Sequence, residues 1–130
     1  MRFARFLSDA GGAAALEFAI VSNAFVAGIV GIAYVAIMLF NNVSLDWAVQ
    51  YAGRQVMLNH AMTQSQIRSA VNTYLSSVGL SNASVVYTVA TSNGVQTANI
   101  VASSVGSYVV PFVKTFNIRY SSNVSVPLGS

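Results

Sequence analysis

The chain contains no cysteine, so disulfides, thiolate metal sites and a cysteine nucleophile are excluded together. Its one histidine, His60, excludes a zinc site built from several histidines. Charge is equally scarce. Six basic and three acidic residues make up 7% of the 130 positions, against roughly 25% in an ordinary soluble domain. The carboxylates Asp9, Glu17 and Asp46 are too dispersed to work as a general acid–base pair. The basic residues Arg2, Arg5, Arg54, Arg68, Lys114 and Arg119 form no run. The formal charge of +3 therefore does not point to nucleic acid, whose binders gather charge on one face or stripe. No glycine-rich phosphate loop follows a strand, and Gly28 and Gly31 fall in an apolar run. A Ser-His-Asp set could draw only on Asp46 and His60, with nothing to single out one serine. No catalytic residue, metal or cofactor is expected. Proline is absent before Pro111, so no strong breaker interrupts the chain before about Asn59.

What is abundant is apolar surface, at 55% of residues. It concentrates between Ala13 and Phe40, 28 residues that carry one charge, Glu17. About 20 apolar residues cross the hydrocarbon core of a bilayer, so the run is long enough to span it. A secretory signal has a shorter apolar core, about 7–15 residues, and a small-residue cleavage site that does not follow here. Arg2 and Arg5 precede the run, and the next basic residue is Arg54. The positive-inside rule then places the N-terminus in the cytoplasm and the remainder outside. Within the run, Ala24 with Gly28 and Ala27 with Gly31 are small pairs four residues apart. Such pairs stack on one helix face and let helices approach closely in lipid, where packing drives association.

Glu17 is the exception in this run. Insertion scales give a charge such as Asp about 2.5–3.5 kcal/mol of cost at the centre of a membrane helix, and less near its end. The surrounding residues read Gly11-Gly12-Ala13-Ala14-Ala15-Leu16-Glu17-Phe18, after a short basic leader. This pattern of glycine, four residues, glutamate and aromatic resembles the processing site of type IV prepilins, particularly the tight-adherence (Tad/Flp) branch. The resemblance implies cleavage between Gly12 and Ala13 by a membrane aspartic peptidase, which leaves the apolar helix in place. It also implies an assembly role for Glu17 and Phe18. A new α-ammonium at Ala13 would stand four residues from Glu17, within pairing range along a helix. The carboxylate could equally meet the terminal amine of a neighbouring subunit and set register, the best-attested use of a buried charge pair. A glutamate that snorkels to the headgroups is the plainer reading.

Beyond Phe40 helical periodicity continues through Val43, Trp47, Ala48, Tyr51, Ala52 and Val56, which predicts one helix from about Ala13 to Leu58. Tyr51 is expected in the seam against the following domain, while Trp47 fits either that seam or an interfacial aromatic belt. Thr63 and Gln66 fit a capping box for a second helix with the apolar face Ile67, Ala70, Val71, Tyr74, Leu75 and Val78, ended by Gly79. Ser84–Thr91 and Val95–Ala102 flank Asn93-Gly94 and predict a hairpin. Ser107–Lys114, with Pro111, is read as a loop or short turn. Phe116–Val126 reads as a third strand that ends before Pro127.

The expected fold class is α+β: a long N-terminal transmembrane helix extending into the periplasm, a second short helix and a small antiparallel sheet of about three strands. The expected organisation is a leader at 1–12, a membrane helix at 13–40, a periplasmic helical extension at 41–60 and a small head at 61–130. This layout resembles the TadE-like family of minor pseudopilins over most of the chain. The resemblance implies a structural subunit of a tight-adherence pilus in the bacterial inner membrane. Its partners would be the prepilin peptidase, other pilins and pseudopilins, pilus assembly proteins and membrane lipid, with no nucleic acid. The competing expectation is a single-pass, membrane-tethered periplasmic binding module that keeps its leader. Asn82-Ala83-Ser84 and Asn123-Val124-Ser125 match the glycosylation sequon and are read as chance.

Overall fold

The computed structural model describes residues 10–110 and 114–129. The order of elements is α1 (Ala10–Leu58), α2 (Gln64–Ser77), β1 (Ser84–Ser92), β2 (Val95–Val110) and β3 (Lys114–Gly129). The protein is α+β, with a long apolar helix, a short helix and a three-stranded antiparallel sheet. It divides into two compact units, Met1–Ile37 and Met38–Ser130.

In the first unit the described residues all belong to α1, which begins at Ala10 and so takes in Gly11 and Gly12. The expected start was three residues later. Most of the expected leader, with Arg2, Arg5 and Asp9, lies outside the described residues. From Ala13 to Ile37 no residue is buried. The helix is long and apolar enough to cross a membrane, and its most apolar window is wholly uncovered by protein.

The second unit, the head, begins at Met38 and builds its core on the last turns of α1. The buried side chains there are Ser44, Leu45, Ala48, Val49, Ala52 and Val56. This corrects the expected stripe: Val43, Trp47 and Tyr51 are about half exposed, at 50%, 54% and 45%. The inward face is rotated by about one residue, or 100°. The reason is visible at Gly53. A Cβ there would stand 3.1 Å from Val124 Cγ1 and 3.3 Å from Val126 Cγ1 of β3. The helix turns its smallest residues inward and leaves the bulky Trp47 and Tyr51 on its flanks. Tyr51 still meets the head, stacked on Tyr74 of α2 with ring centroids 6.1 Å apart.

Local chemistry sets both ends of α2. Thr63 Oγ1 accepts from the Gln66 backbone N–H at 3.4 Å, and the Thr63 N–H donates to Gln66 Oε1 at 2.9 Å. Together they form the capping box. At the other end Gly79 takes φ +78°, the Leu80 N–H donates to Leu75 O and the Gly79 N–H donates to Ser76 O. These two bonds are the Schellman pattern. Between the ends, Ile67, Val71 and Leu75 are buried at steps of four.

The sheet order is β1-β2-β3. Ser92 pairs with Val95 across Asn93 and Gly94, both at positive φ (52° and 80°), as a two-residue type I′ hairpin requires. One face packs inward, with Val85, Ala98, Ile100, Ala102, Tyr108, Tyr120 and Val126 buried. On the outer face, cross-strand partners bond through their side chains: the Ser107 hydroxyl donates to Asn117 Oδ1 at 2.7 Å. Two expectations are corrected here. Ser107–Val110 is strand rather than loop, since β2 continues to Val110 opposite Lys114, and residues 111–113 lie outside the described residues. β3 also runs through Pro127, which pairs with Thr97. An edge strand tolerates this proline because it has only one neighbour to bond. The register shifts there: Gln96 faces Gly129 and Thr97 faces Pro127, so Leu128 is the extra residue of a bulge.

Candidate functional site

The residues singled out for processing and assembly all lie on the first part of α1. Gly12 and Ala13 occupy its first turns, half-exposed and exposed respectively. Glu17 is exposed, and Phe18 is 75% exposed. Ala24, Ala27, Gly28 and Gly31 are exposed as well, and a Cβ at Gly28 or Gly31 would meet nothing within 4 Å.

Helical spacing decides which of these share a face. Glu17, Ala24, Gly28 and Gly31 follow at steps of seven, four and three, so they line one stripe, with Ala13 one turn before Glu17. Ala27 borders that stripe beside Gly31. Phe18 is about 100° away around the helix and does not share it. The result is a carboxylate at one end of a groove-forming row of small residues, open to a partner helix. No basic residue occurs in the sequence between Arg5 and Arg54, so nothing on this stretch of helix can neutralise Glu17.

A second set of polar residues was not anticipated. In the head, Asn41 Nδ2 donates to the Tyr108 hydroxyl at 2.7 Å, and the Tyr108 and Tyr120 hydroxyls are hydrogen-bonded to each other. Both tyrosines are buried. Burial, and then the hydrogen bond with Tyr108, push the Tyr120 phenol up to about 12. Gly106 makes the arrangement possible: a Cβ there would stand 2.7 Å from the Tyr108 hydroxyl and 2.9 Å from its ring. The Tyr108 ring thus lies across the backbone of the inward position two residues before it. Nothing local in the sequence links Asn41 to residues 67 and 79 positions later. The one available signal was a glycine two residues ahead of an inward-facing tyrosine. A small cavity of about 130 Å³ adjoins the cluster, lined in part by Asn41, Leu45, Leu75, Ser104 and Tyr120.

A broader groove of about 610 Å³ runs between α1 and α2 beside the Tyr51–Tyr74 stack, lined in part by Gln55, Met62, Gln66 and Thr73. Neither hollow gathers acids, bases or nucleophiles into a catalytic arrangement. His60 is exposed in the turn between the helices, 14 residues from Asp46. Among the described residues no three of His, Cys, Asp or Glu are grouped to hold a metal ion, and no buried side-chain nitrogen or oxygen lacks a hydrogen-bond partner. In comparisons with known proteins, no family model, curated protein or solved structure matches the chain.

Proposed function

We propose that the protein is a minor pseudopilin of the tight-adherence type, a structural subunit rather than an enzyme. It would be anchored in the bacterial inner membrane with its N-terminus cytoplasmic and its head periplasmic. The observation that carries this reading is the first unit of α1: a helix able to span a bilayer, uncovered throughout, with Glu17 exposed five residues after Gly12. Lipid accounts for the apolar surface. A carboxylate at that depth calls for a cation, and a peptidase that cuts after Gly12 would supply one at Ala13. The row Ala24, Gly28 and Gly31 then offers the close-packing face by which the subunit joins other pilin helices.

Proteolysis requires the chain around Gly12 to leave the helix. Gly11 and Gly12 are suited to this, since each glycine weakens a helix by about 1 kcal/mol relative to alanine and the first turn has the fewest internal bonds. The same placement of Gly12 inside α1 favours the second reading, a tethered module that is never processed. Mass spectrometry of the protein from its native host separates the two. A polypeptide beginning at Ala13 supports the pseudopilin. One that retains residues 1–12 while pili form normally leaves a single-pass anchor.

A further inference from the structure

β2 and β3 outrun β1. β1 pairs only as far as Ser84 with Ser103, so Ser104–Val110 and Lys114–Tyr120 continue as a two-stranded ribbon of seven residue pairs. The ribbon's position along α1 can be read from its contacts. Gly53 lies against Val124 and Val126, whereas Tyr108 bonds to Asn41. The ribbon therefore ends at the Asn41 end of the head, and Asn41 directly follows Phe40, the last residue of the apolar run.

This end of the sheet exposes both apolar and basic side chains. Val105 and Val109 are exposed on the outer face at 53% and 62%, and Phe116, paired with Tyr108 on the other face, is exposed at 39%. The Lys114 ammonium stands 5.4 Å from the centre of the Phe116 ring. Arg119 pairs with Val105, and no acid occurs in either arm. Over residues 38–130 the sequence has four basic residues (Arg54, Arg68, Lys114, Arg119) and one acid (Asp46), a formal charge of +3. Exposed valines on one face of the ribbon's end, and an aromatic ring beside a lysine on the other, suit a membrane–water boundary, where rings sit at headgroup level and lysines reach toward phosphate.

We propose that the end of the β2–β3 ribbon is a second membrane contact, resting on the anionic headgroups of the bilayer that α1 crosses, with Lys114 as its principal charge. The proposal rests on the membrane-anchor reading above. Such a contact would give the head its own attachment to the bilayer surface.

Because the chain lacks cysteine, single labels can be introduced cleanly. The full chain is reconstituted into vesicles of phosphatidylcholine and phosphatidylglycerol with a fluorophore at Thr115→Cys, Thr91→Cys or Phe25→Cys. Quenching is then read from nitroxides on lipid headgroups or acyl chains. Thr91 pairs with Gln96 near the opposite end of β2, about 40 Å from the ribbon's end at 3.3 Å per residue. Headgroup nitroxides are expected to quench the label at 115 several-fold more than the label at 91. Lys114→Gln is expected to weaken the contact about fivefold, the effect of one basic residue near an anionic surface. Equal quenching at 115 and 91, with the label at 25 quenched from the acyl chains, overturns the ribbon contact and leaves the anchor intact. No quenching at 25 overturns the anchor reading and the ribbon contact with it. Equal quenching at 115 in phosphatidylcholine alone overturns the role given to Lys114.

Discussion

Asn41 and Tyr108, 67 residues apart in sequence, are joined by a 2.7 Å hydrogen bond in which the amide donates to the phenolic oxygen. Tyr108 also bonds Tyr120, so it is the middle member of the set. Tyr108→Phe would strand two partners and should cost about 2 kcal/mol, whereas Tyr120→Phe strands one and should cost about 1 kcal/mol. Urea unfolding of the full chain in detergent measures both. Equal losses would mean that Tyr108 does not hold the set together.

The raised pKa of Tyr120 sets a direction for alkaline stability. Burial and the Tyr108 hydrogen bond hold the proton to about 12 in the folded protein, against 10.0 for an ordinary tyrosine. In that window the folded state binds more protons than the unfolded one, so stability falls as pH rises. The contribution is whole below pH 10 and is lost as pH climbs toward 12. Melting temperatures across that range should fall less steeply in Tyr120→Phe than in the parent. Parallel curves would remove Tyr120 from the account.

Gly53 is expected to resist enlargement. Valine there would drive branched carbons into Val124 and Val126, at a cost of about 1–3 kcal/mol typical of overpacking. Val124→Ala should recover part of the loss in the double variant, and unfolding of all four proteins gives the coupling. Strict additivity would show that the two positions do not press on each other.

Removing the cap of α2 by Thr63→Ala should cost about 1 kcal/mol. Amide exchange should quicken first at Gln66, whose N–H bonds the Thr63 hydroxyl. Unchanged exchange there would show that the side chain contributes nothing.

On the pseudopilin reading proposed above, Glu17→Ala is expected to leave cleavage after Gly12 intact and to lower entry into pili. Immunoblots of sheared pili against membranes read the ratio. Normal incorporation would end the register role proposed for this carboxylate.

What the sequence disclosed, and what it hid, follows the range of the interactions. The box of Thr63 and Gln66, the stop at Gly79 and the turn at Asn93-Gly94 are each completed within about four residues, and each was legible. The apolar helix was legible because its length and its apolar run are properties of consecutive residues. The inward stripe of the head was misplaced by one position, since Trp47 and Tyr51 outrank Leu45 and Val49 in bulk while the close approach at Gly53 decides the rotation. The second half of β2 was hidden behind Pro111, because its strand character depends on pairing with Lys114–Tyr120. The hydroxyl set was out of reach for the same reason: Asn41 and Tyr120 are neighbours only once β2 and β3 have paired.

Each border of the sheet is blunted over one stretch. At β1 the Gln64 amide of α2 reaches the Val85 carbonyl at 3.5 Å. At β3, Pro127 offers no N–H, and the bulge at Leu128 bends the strand out of line. Copies of this molecule crowded side by side would thus find strand-onto-strand zipping interrupted at those stretches. At those two stretches, self-association is left to side-chain contacts that can be undone.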